Sequence, residues 1–255
     1  MKRKWMLLFL CIMLLGFSGV ASAELILIGT ATYDGGNYNL IYEDNQGLVW
    51  LDYTNLRNTW YGQLNWAYGL NAEGVLTYSL NPGISLNWKG NWRLPVTDER
   101  QADMYKGYGF AGPDGDGYHD YRYGYNMVNS EMGHLFYVSL GNIGWYDTEG
   151  NEETVYGLRN TSYFDDLRPG HYWSGTEYSV NATEAWSFRF NSGLQEHEYG
   201  NKNITLSALA VRPCDVSAIP VPELATIILL GGGLAGLCAF RRARQRRGEG
   251  TGSAR

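Results

Sequence analysis

The stretch Asp114-Gly115-Asp116-Gly117-Tyr118-His119-Asp120 sets three carboxylates at i, i+2 and i+6 along a glycine-rich segment. Hard oxygen ligands on a pliable loop suit a calcium ion, which makes Asp114, Asp116 and Asp120 candidate ligands. A twelve-residue calcium loop closes on a bidentate glutamate, and Tyr125 stands at that position, so a solvated acidic loop is the alternative. No cofactor is required, and calcium is the metal this loop could take. Tyr118, Tyr121, Tyr123 and Tyr125 are interleaved with these residues. Aromatic faces stack on sugar rings and lose little entropy in doing so, so these four are expected to form an exposed binding loop. Arg93 and Arg212 could each present a guanidinium to a ligand or pair with a carboxylate such as Glu177, the second reading being preferred. Glu196-His197-Glu198 could ligate a metal but is expected to be an exposed strand end. Asp165-Asp166 could serve a glycosidase, although adjacency says nothing about the separation that chemistry requires.

Catalysis finds little else. The histidines (His119, His134, His171 and His197) are scattered, and no zinc-helix, Gly-x-Ser-x-Gly or phosphate-loop spacing is present. Cys11 and Cys238 fall in apolar terminal stretches, which leaves Cys214 alone between them. That excludes a disulfide framework and a cysteine-ligated zinc site. Residues 24–222 carry 11 basic and 24 acidic groups, a net of −13, whereas the segment after Glu223 holds six arginines. A surface this acidic repels phosphate backbones, so no nucleic-acid partner is expected.

The ends read as addresses. Lys2-Arg3-Lys4, an apolar run from Trp5 to Phe17 and Ala21-Ser22-Ala23 make a secretory signal peptide over 1–23, cleaved after Ala23. Near the other end, residues 224–240 are apolar or small and are followed by an arginine cluster. Seventeen residues at about 1.5 Å rise cross the low end of a bilayer's thickness, giving a C-terminal transmembrane helix. The arginines stay cytoplasmic, which places 24–222 on the other side.

Between these ends, residues 25–30, 37–43 and 47–53 read as strands, with Asn45-Gln46-Gly47 as a turn. Trp60, Leu64, Ala67 and Tyr68 fall on one face of a helix. A second helix is expected to start near Thr97, after Pro95. A third should be capped by Ser130 and end at Gly141. Residues 172–178, 185–190 and 206–211 are strand-like again, and Trp50, Trp92, Trp173 and Trp186 are assigned to the core. Strands at both ends with helices between argue for an α+β domain whose termini meet in one sheet.

Two resemblances add to this. Pro222-Glu223, the short glycine-bearing apolar helix and the arginines resemble the PEP-CTERM sorting signal of Gram-negative bacteria, with Leu224 in place of the usual second proline. The resemblance implies an exosortase-type processing enzyme as partner, acting near Pro222 and Glu223. It also implies inner-membrane anchoring before processing and a place at the cell surface or in the extracellular matrix after it. Gly47-Leu48-Val49-Trp50-Leu51-Asp52, Trp92-Arg93-Leu94-Pro95, Tyr172-Trp173-Ser174-Gly175-Thr176-Glu177 and Ala210-Val211-Arg212-Pro213 resemble the Lcl C-terminal domain family. That implies a compact C-type-lectin-like α+β domain with antiparallel sheet and two to three helices, and binding of sulfated polysaccharide in the adhesin that names the family. At −13 a neutral glycan or a protein is the better match. The expected organisation is signal peptide 1–23, Lcl-type domain 24–215, sorting signal 216–247 and a disordered tail 248–255. The expected function is non-enzymatic recognition of an extracellular glycan or protein, with a structural matrix component and a polysaccharide hydrolase as successive alternatives.

Overall fold

The structure is a computed structural model that describes residues 25–98, 124–197 and 201–217. In chain order the elements are β1 (Leu25–Tyr33), β2 (Gly36–Glu43), β3 (Leu48–Asn58), α1 (Trp60–Gly69), β4 (Thr77–Leu80) and β5 (Ser85–Trp88). There follow α2 (Glu131–His134), which runs on as a π-helical turn over Leu135–Ser139, then β6 (His171–Glu177), β7 (Ala185–Arg189), β8 (Leu194–Glu196) and β9 (Leu206–Ser217). The strands form one sheet in the order β4-β1-β2-β3-β9-β6-β7-β8, with β5 pairing the far end of β9. All pairings are antiparallel except β6 with β9. The fold is thus sheet-rich and α+β-like, and the first and last strands share the sheet as expected.

The central strands are apolar at nearly every position because both faces are covered. Along β2, β3 and β9, Ile41, Leu48, Trp50, Leu209 and Val211 face one cluster, with Phe136, Phe164, Phe188 and Phe190. Their alternate neighbours Leu40, Val49, Leu51 and Ala210 face another, with Ile28 and Trp92. Two-sided burial turns an alternating pattern into a continuous one such as Leu48-Val49-Trp50-Leu51. Trp50, Trp92, Trp173 and Trp186 are all buried.

Helix α1 starts where expected, with the Thr59 side chain accepting from Gly62 N at 3.2 Å. Its inner face differs from the expected one: Trp60, Gln63 and Ala67 are buried while Tyr68 is 73% exposed. Gln63 goes inward because β3 and β9 slip register between Leu51 and Asn58, which strands backbone acceptors there. Its amide donates to Leu206 O at 2.8 Å and to Asn55 O and Leu56 O at 3.3 Å. A buried carbonyl must find a donor, and a glutamine supplies two hydrogens to this fault in the ladder.

The helix expected from Thr97 does not begin there: residues 95–98 are irregular, and its continuation lies outside the described residues. Thr97 is held instead by β6, its N donating to Thr176 Oγ1 at 2.9 Å and its hydroxyl to Ser174 Oγ at 3.0 Å. The third helix begins after Ser130 and is followed by Gly141 at φ +63°, but it shifts from α to π geometry after one turn. Ser130 Oγ makes no cap; it accepts from Asp98 N at 3.1 Å. Among the described residues no helix is long and apolar enough to cross a membrane.

Candidate functional site

Between α2 and β6 the chain makes an excursion over residues 141–160 that carries two exposed aromatic side chains, Trp145 and Tyr156. Its base is tied by Asn142, whose side chain accepts from Arg159 N and Asn160 N at 2.9 Å and donates to Asn160 O at 2.8 Å. Two antiparallel bridges, Ile143 to Gly157 and Tyr146 to Glu152, fold it into a hairpin. The turn is closed by Asp147, whose carboxylate accepts from Glu149 N and Asn151 N at 2.8 and 2.9 Å. Trp145 N donates to Ser192 O at 2.8 Å, fastening the hairpin to the body.

On this frame three rings lie nearly parallel. Trp145 is 5.9 Å from Tyr146 at 14° and 5.6 Å from Tyr156 at 7°, centroid to centroid. Such separations with parallel planes mean offset stacking, which leaves part of each ring uncovered. Trp145 and Tyr156 are 40% and 38% exposed, beside exposed Ile143 and Val155. Asp147, Glu149, Glu152 and Glu153 lie on the same hairpin, and Tyr146 OH donates to Glu152 Oε1 at 3.2 Å. Parallel rings form a strip rather than a box around a cation, and the carboxylates beside them accept from hydroxyl groups. The aromatics expected at 118–125 fall differently: Tyr118, Tyr121 and Tyr123 lie outside the described residues, and Tyr125 is not exposed. It is packed edge-on against Tyr146, 5% exposed, because Gly124 pairs with Gln195 of β8, and burial pushes its hydroxyl up to about 12.

A second feature opens where β3 and β9 slip. Leu56, Arg57, Arg168, His171, Tyr172 and Leu206 are among the walls of a cleft of about 350 Å³. Its rim is rigid because Asp52 on β3 accepts from Asp165 N at 2.7 Å and from Asp166 N at 3.0 Å, while Thr54 Oγ1 donates to Asp166 O at 2.6 Å. Tyr172 OH bonds both Arg168 O and Arg168 N at 3.1 Å, and Arg168 pairs with Asp166 at 2.8 Å. Asp52 is 2% exposed, and burial, with Asp165 and Asp166 nearby, lifts its carboxyl from 3.8 to about 6 against the two amide bonds. His171 moves the other way, from 6.5 to about 4, through burial and then repulsion by Arg189 and Arg57. A further hollow of about 510 Å³ borders Gln46, Thr97, Asp98 and Glu131, with Asp98 the last described residue before 99–123.

The remaining sequence candidates are occupied by structural work. Arg93 makes a two-pronged pair with Glu131, both bonds 2.7 Å, rather than with Glu177, and Glu131 also accepts from Val96 N at 2.7 Å. Glu177 binds Lys202, whose side chain is 4% exposed. Arg212 lies 4.2 Å over the Trp88 ring and donates to Gly90 O at 2.8 Å. Glu196 is not at an exposed end: it is 1% exposed and grips Arg189 through both oxygens. His197 stacks on Tyr178 at 3.8 Å, and Glu198 lies outside the described residues. Asp165 and Asp166 serve the loop–β3 seam. Ser139, His134 and Glu43 converge, yet Ser139 and His134 Nδ1 both bond Glu43 Oε1 while Nε2 faces Asn45. A hydroxyl on the carboxylate side of the ring is not a nucleophile with its base. Among the described residues no three His, Cys, Asp or Glu side chains could hold a metal together. Asp114, Asp116, Asp120, Pro222, Glu223 and Ala23 lie outside the described residues.

Compared with known proteins, the chain matches no family model, and no curated protein or solved structure is similar to it. Neither the aromatic row nor the cleft was singled out from sequence. The one available signal was the flanking of the turn Asp147-Thr148-Glu149-Gly150-Asn151 by Trp145-Tyr146 on one side and Tyr156 on the other.

Proposed function

We propose that this chain is an exported, surface- or matrix-associated binding protein, non-enzymatic, that recognises an extracellular glycan through an Lcl-type, C-type-lectin-like domain. The observation that carries the reading is the row Tyr146, Trp145 and Tyr156, parallel on a fastened hairpin, with Trp145 and Tyr156 exposed and Tyr146 half-buried. A sugar chain offers C–H faces to such rings and hydroxyls to the carboxylates beside them, whereas a polyanion would be repelled. A second copy of the protein would bring its own hairpin carboxylates toward the first, which disfavours self-association here. The sheet-rich α+β fold with joined termini supports the finer fold assignment.

Affinity electrophoresis of the full-length protein through gels containing dextran, mannan or a β-1,3-glucan tests this. Retardation by at least one of these neutral polymers is expected, with about a tenfold loss of affinity in Trp145→Ala and only a small fall in melting temperature, because the ring lies outside the buried core and gives up only its stacking on Tyr146 and Tyr156. Equal mobility in every gel would defeat the reading.

The two ends supply delivery: the 1–23 signal peptide exports the domain, segment 224–240 holds it in the inner membrane, and an exosortase-type enzyme acts near Pro222-Glu223. The mature protein is then expected to begin at Glu24 and end near Pro222. Intact mass of protein recovered from its native envelope and medium checks this; a mass retaining the arginine tail would overturn the processing step.

A further inference from the structure

The cleft at the end of β3 has a charge character opposite to that of the rest of the domain. Its lining includes two guanidiniums and an imidazole and no carboxylate, in a segment whose net charge is −13. Arg57, from β3, is exposed and makes no ion pair among the described residues. Arg168, 62% exposed at its side chain, has its pair with Asp166 at the rim. His171, at the start of β6, is 29% exposed at its side chain and faces Arg57 from β3, Arg189 from β7 and Glu196 from β8. Glu196 is 3.9 Å from its Nδ1 but is already gripped at both oxygens by Arg189. The imidazole therefore sits among cations with its nearest counter-charge engaged elsewhere, on a wall shared with the apolar surfaces of Leu56 and Leu206.

We infer that this cleft is a proton-coupled anion site: it takes the carboxylate of one uronate sugar between Arg57, Arg168 and His171, and takes up a proton on the imidazole as it does so. The guanidiniums match a carboxylate's geometry, the apolar wall matches the C–H face of the ring, and 350 Å³ is at the small end for a ligand pocket, room for one sugar-sized unit. An unoccupied cleft keeps His171 neutral at pH 7. An anion beside it restores the charged form, and by linkage each proton taken up tightens the anion by the same factor. A uronate carboxyl, an ordinary carboxylic acid of pKa about 4, is ionised through most of this window. This site extends the glycan reading to a second surface and stands on residues separate from the aromatic row.

Isothermal titration of the full-length protein with glucuronate, glucose and inorganic sulfate at pH 7.5 and pH 5.0 tests it. Glucuronate is expected to bind about tenfold more tightly at the lower pH, and glucose not at all. Arg57→Gln should weaken glucuronate at both pH values. His171→Gln should retain weak binding with no pH dependence. By NMR, the His171 ring should titrate near pH 4 alone and about two units higher in saturating glucuronate, the shift that a tenfold gain at pH 5.0 requires. No glucuronate binding, equal affinity at the two pH values, or an unchanged slope in His171→Gln would each overturn the site. Sulfate binding as tightly as glucuronate would overturn the sugar-acid assignment. Trp145→Ala leaves this cleft intact, so glucuronate binding in that variant separates failure here from failure of the aromatic row.

Discussion

Glu43→Ala is expected to destabilise the domain by about 3–5 kcal/mol, the largest effect of any single substitution considered. Glu43 ends β2 and is fully buried. Its Oε2 accepts from Trp50 Nε1 at 2.8 Å, and its Oε1 accepts from His134 Nδ1 at 2.7 Å and from the Ser139 hydroxyl. Three donors on one carboxylate compensate its removal from water, and they join the sheet to α2 and to the π turn after it. Asn45 Nδ2 lies 3.5 Å from His134 Nε2, which suits the tautomer with its hydrogen on Nδ1. Alanine removes the acceptor and leaves two buried donors, on Trp50 and His134, and the half-buried Ser139 hydroxyl beside a cavity. Glutamine keeps the shape but turns a donor toward donors, so Glu43→Gln should cost about 1–3 kcal/mol. The triple variant Glu43→Leu/His134→Leu/Ser139→Ala should recover much of the alanine loss, since an apolar replacement of a whole buried network is often near neutral. Urea denaturation of the four proteins measures this, and a cost below about 1 kcal/mol for Glu43→Ala would mean that water replaces the carboxylate.

The second large effect is a pair of opposing pH dependences in Asp52 and His171. Asp52 has its folded pKa raised from 3.8 to about 6, so its contribution is fully present below 3.8 and is lost as pH rises through 6. His171 has its folded pKa lowered from 6.5 to about 4, so its contribution is fully present above 6.5 and is lost as pH falls through 4. Between about pH 4 and 6 the two slopes oppose each other. Removing either partner exposes the other. Relative to the parent, Asp52→Asn should gain stability as pH rises across this window, by about 3 kcal/mol. It should also carry a pH-independent loss, because an amide accepts less well than a carboxylate from the Asp165 and Asp166 backbone. His171→Gln should lose stability relative to the parent over the same rise, by about 2 kcal/mol once its partial exposure is allowed for. Urea denaturation at pH 4, 5, 6 and 7 gives the difference curves. Curves parallel to the parent's would show that neither group titrates as its burial requires.

Near-neighbour features were legible in the chain itself. The aliphatic and aromatic runs at 37–43, 47–53 and 206–211 became the central strands, because two-sided burial leaves a continuous apolar signature. The helical spacing from Trp60 marked the start of α1, and Ser130 and Gly141 bracketed α2 with its π turn, because such signals act within a few residues. Of the four core tryptophans, Trp50 lies in one of these runs and Trp173 and Trp186 in the strand-like stretches 172–178 and 185–190.

What the chain did not disclose depended on partners distant in sequence. Arg93 meets Glu131, 38 residues away, and Asp52 meets the Asp165 amide 113 residues on. No local rule selects those partners over Glu177 or solvent. Gln63 is buried and Tyr68 exposed, the reverse of their hydropathies, because a register slip between β3 and β9 stranded carbonyls that only an amide could satisfy. The same slip opened the cleft. Tyr125 is buried by its pairing with β8, whereas Trp145 and Tyr156 stay exposed because the hairpin holding them leans on the body through backbone bonds and leaves their rings outside. By itself, then, the sequence determined the central strand runs, two of the helix starts and the acidic character of the domain, all set by neighbours along the chain. Only the tertiary structure decided which rings face water and which charges face each other, because those follow from strand register and from contacts that close long loops.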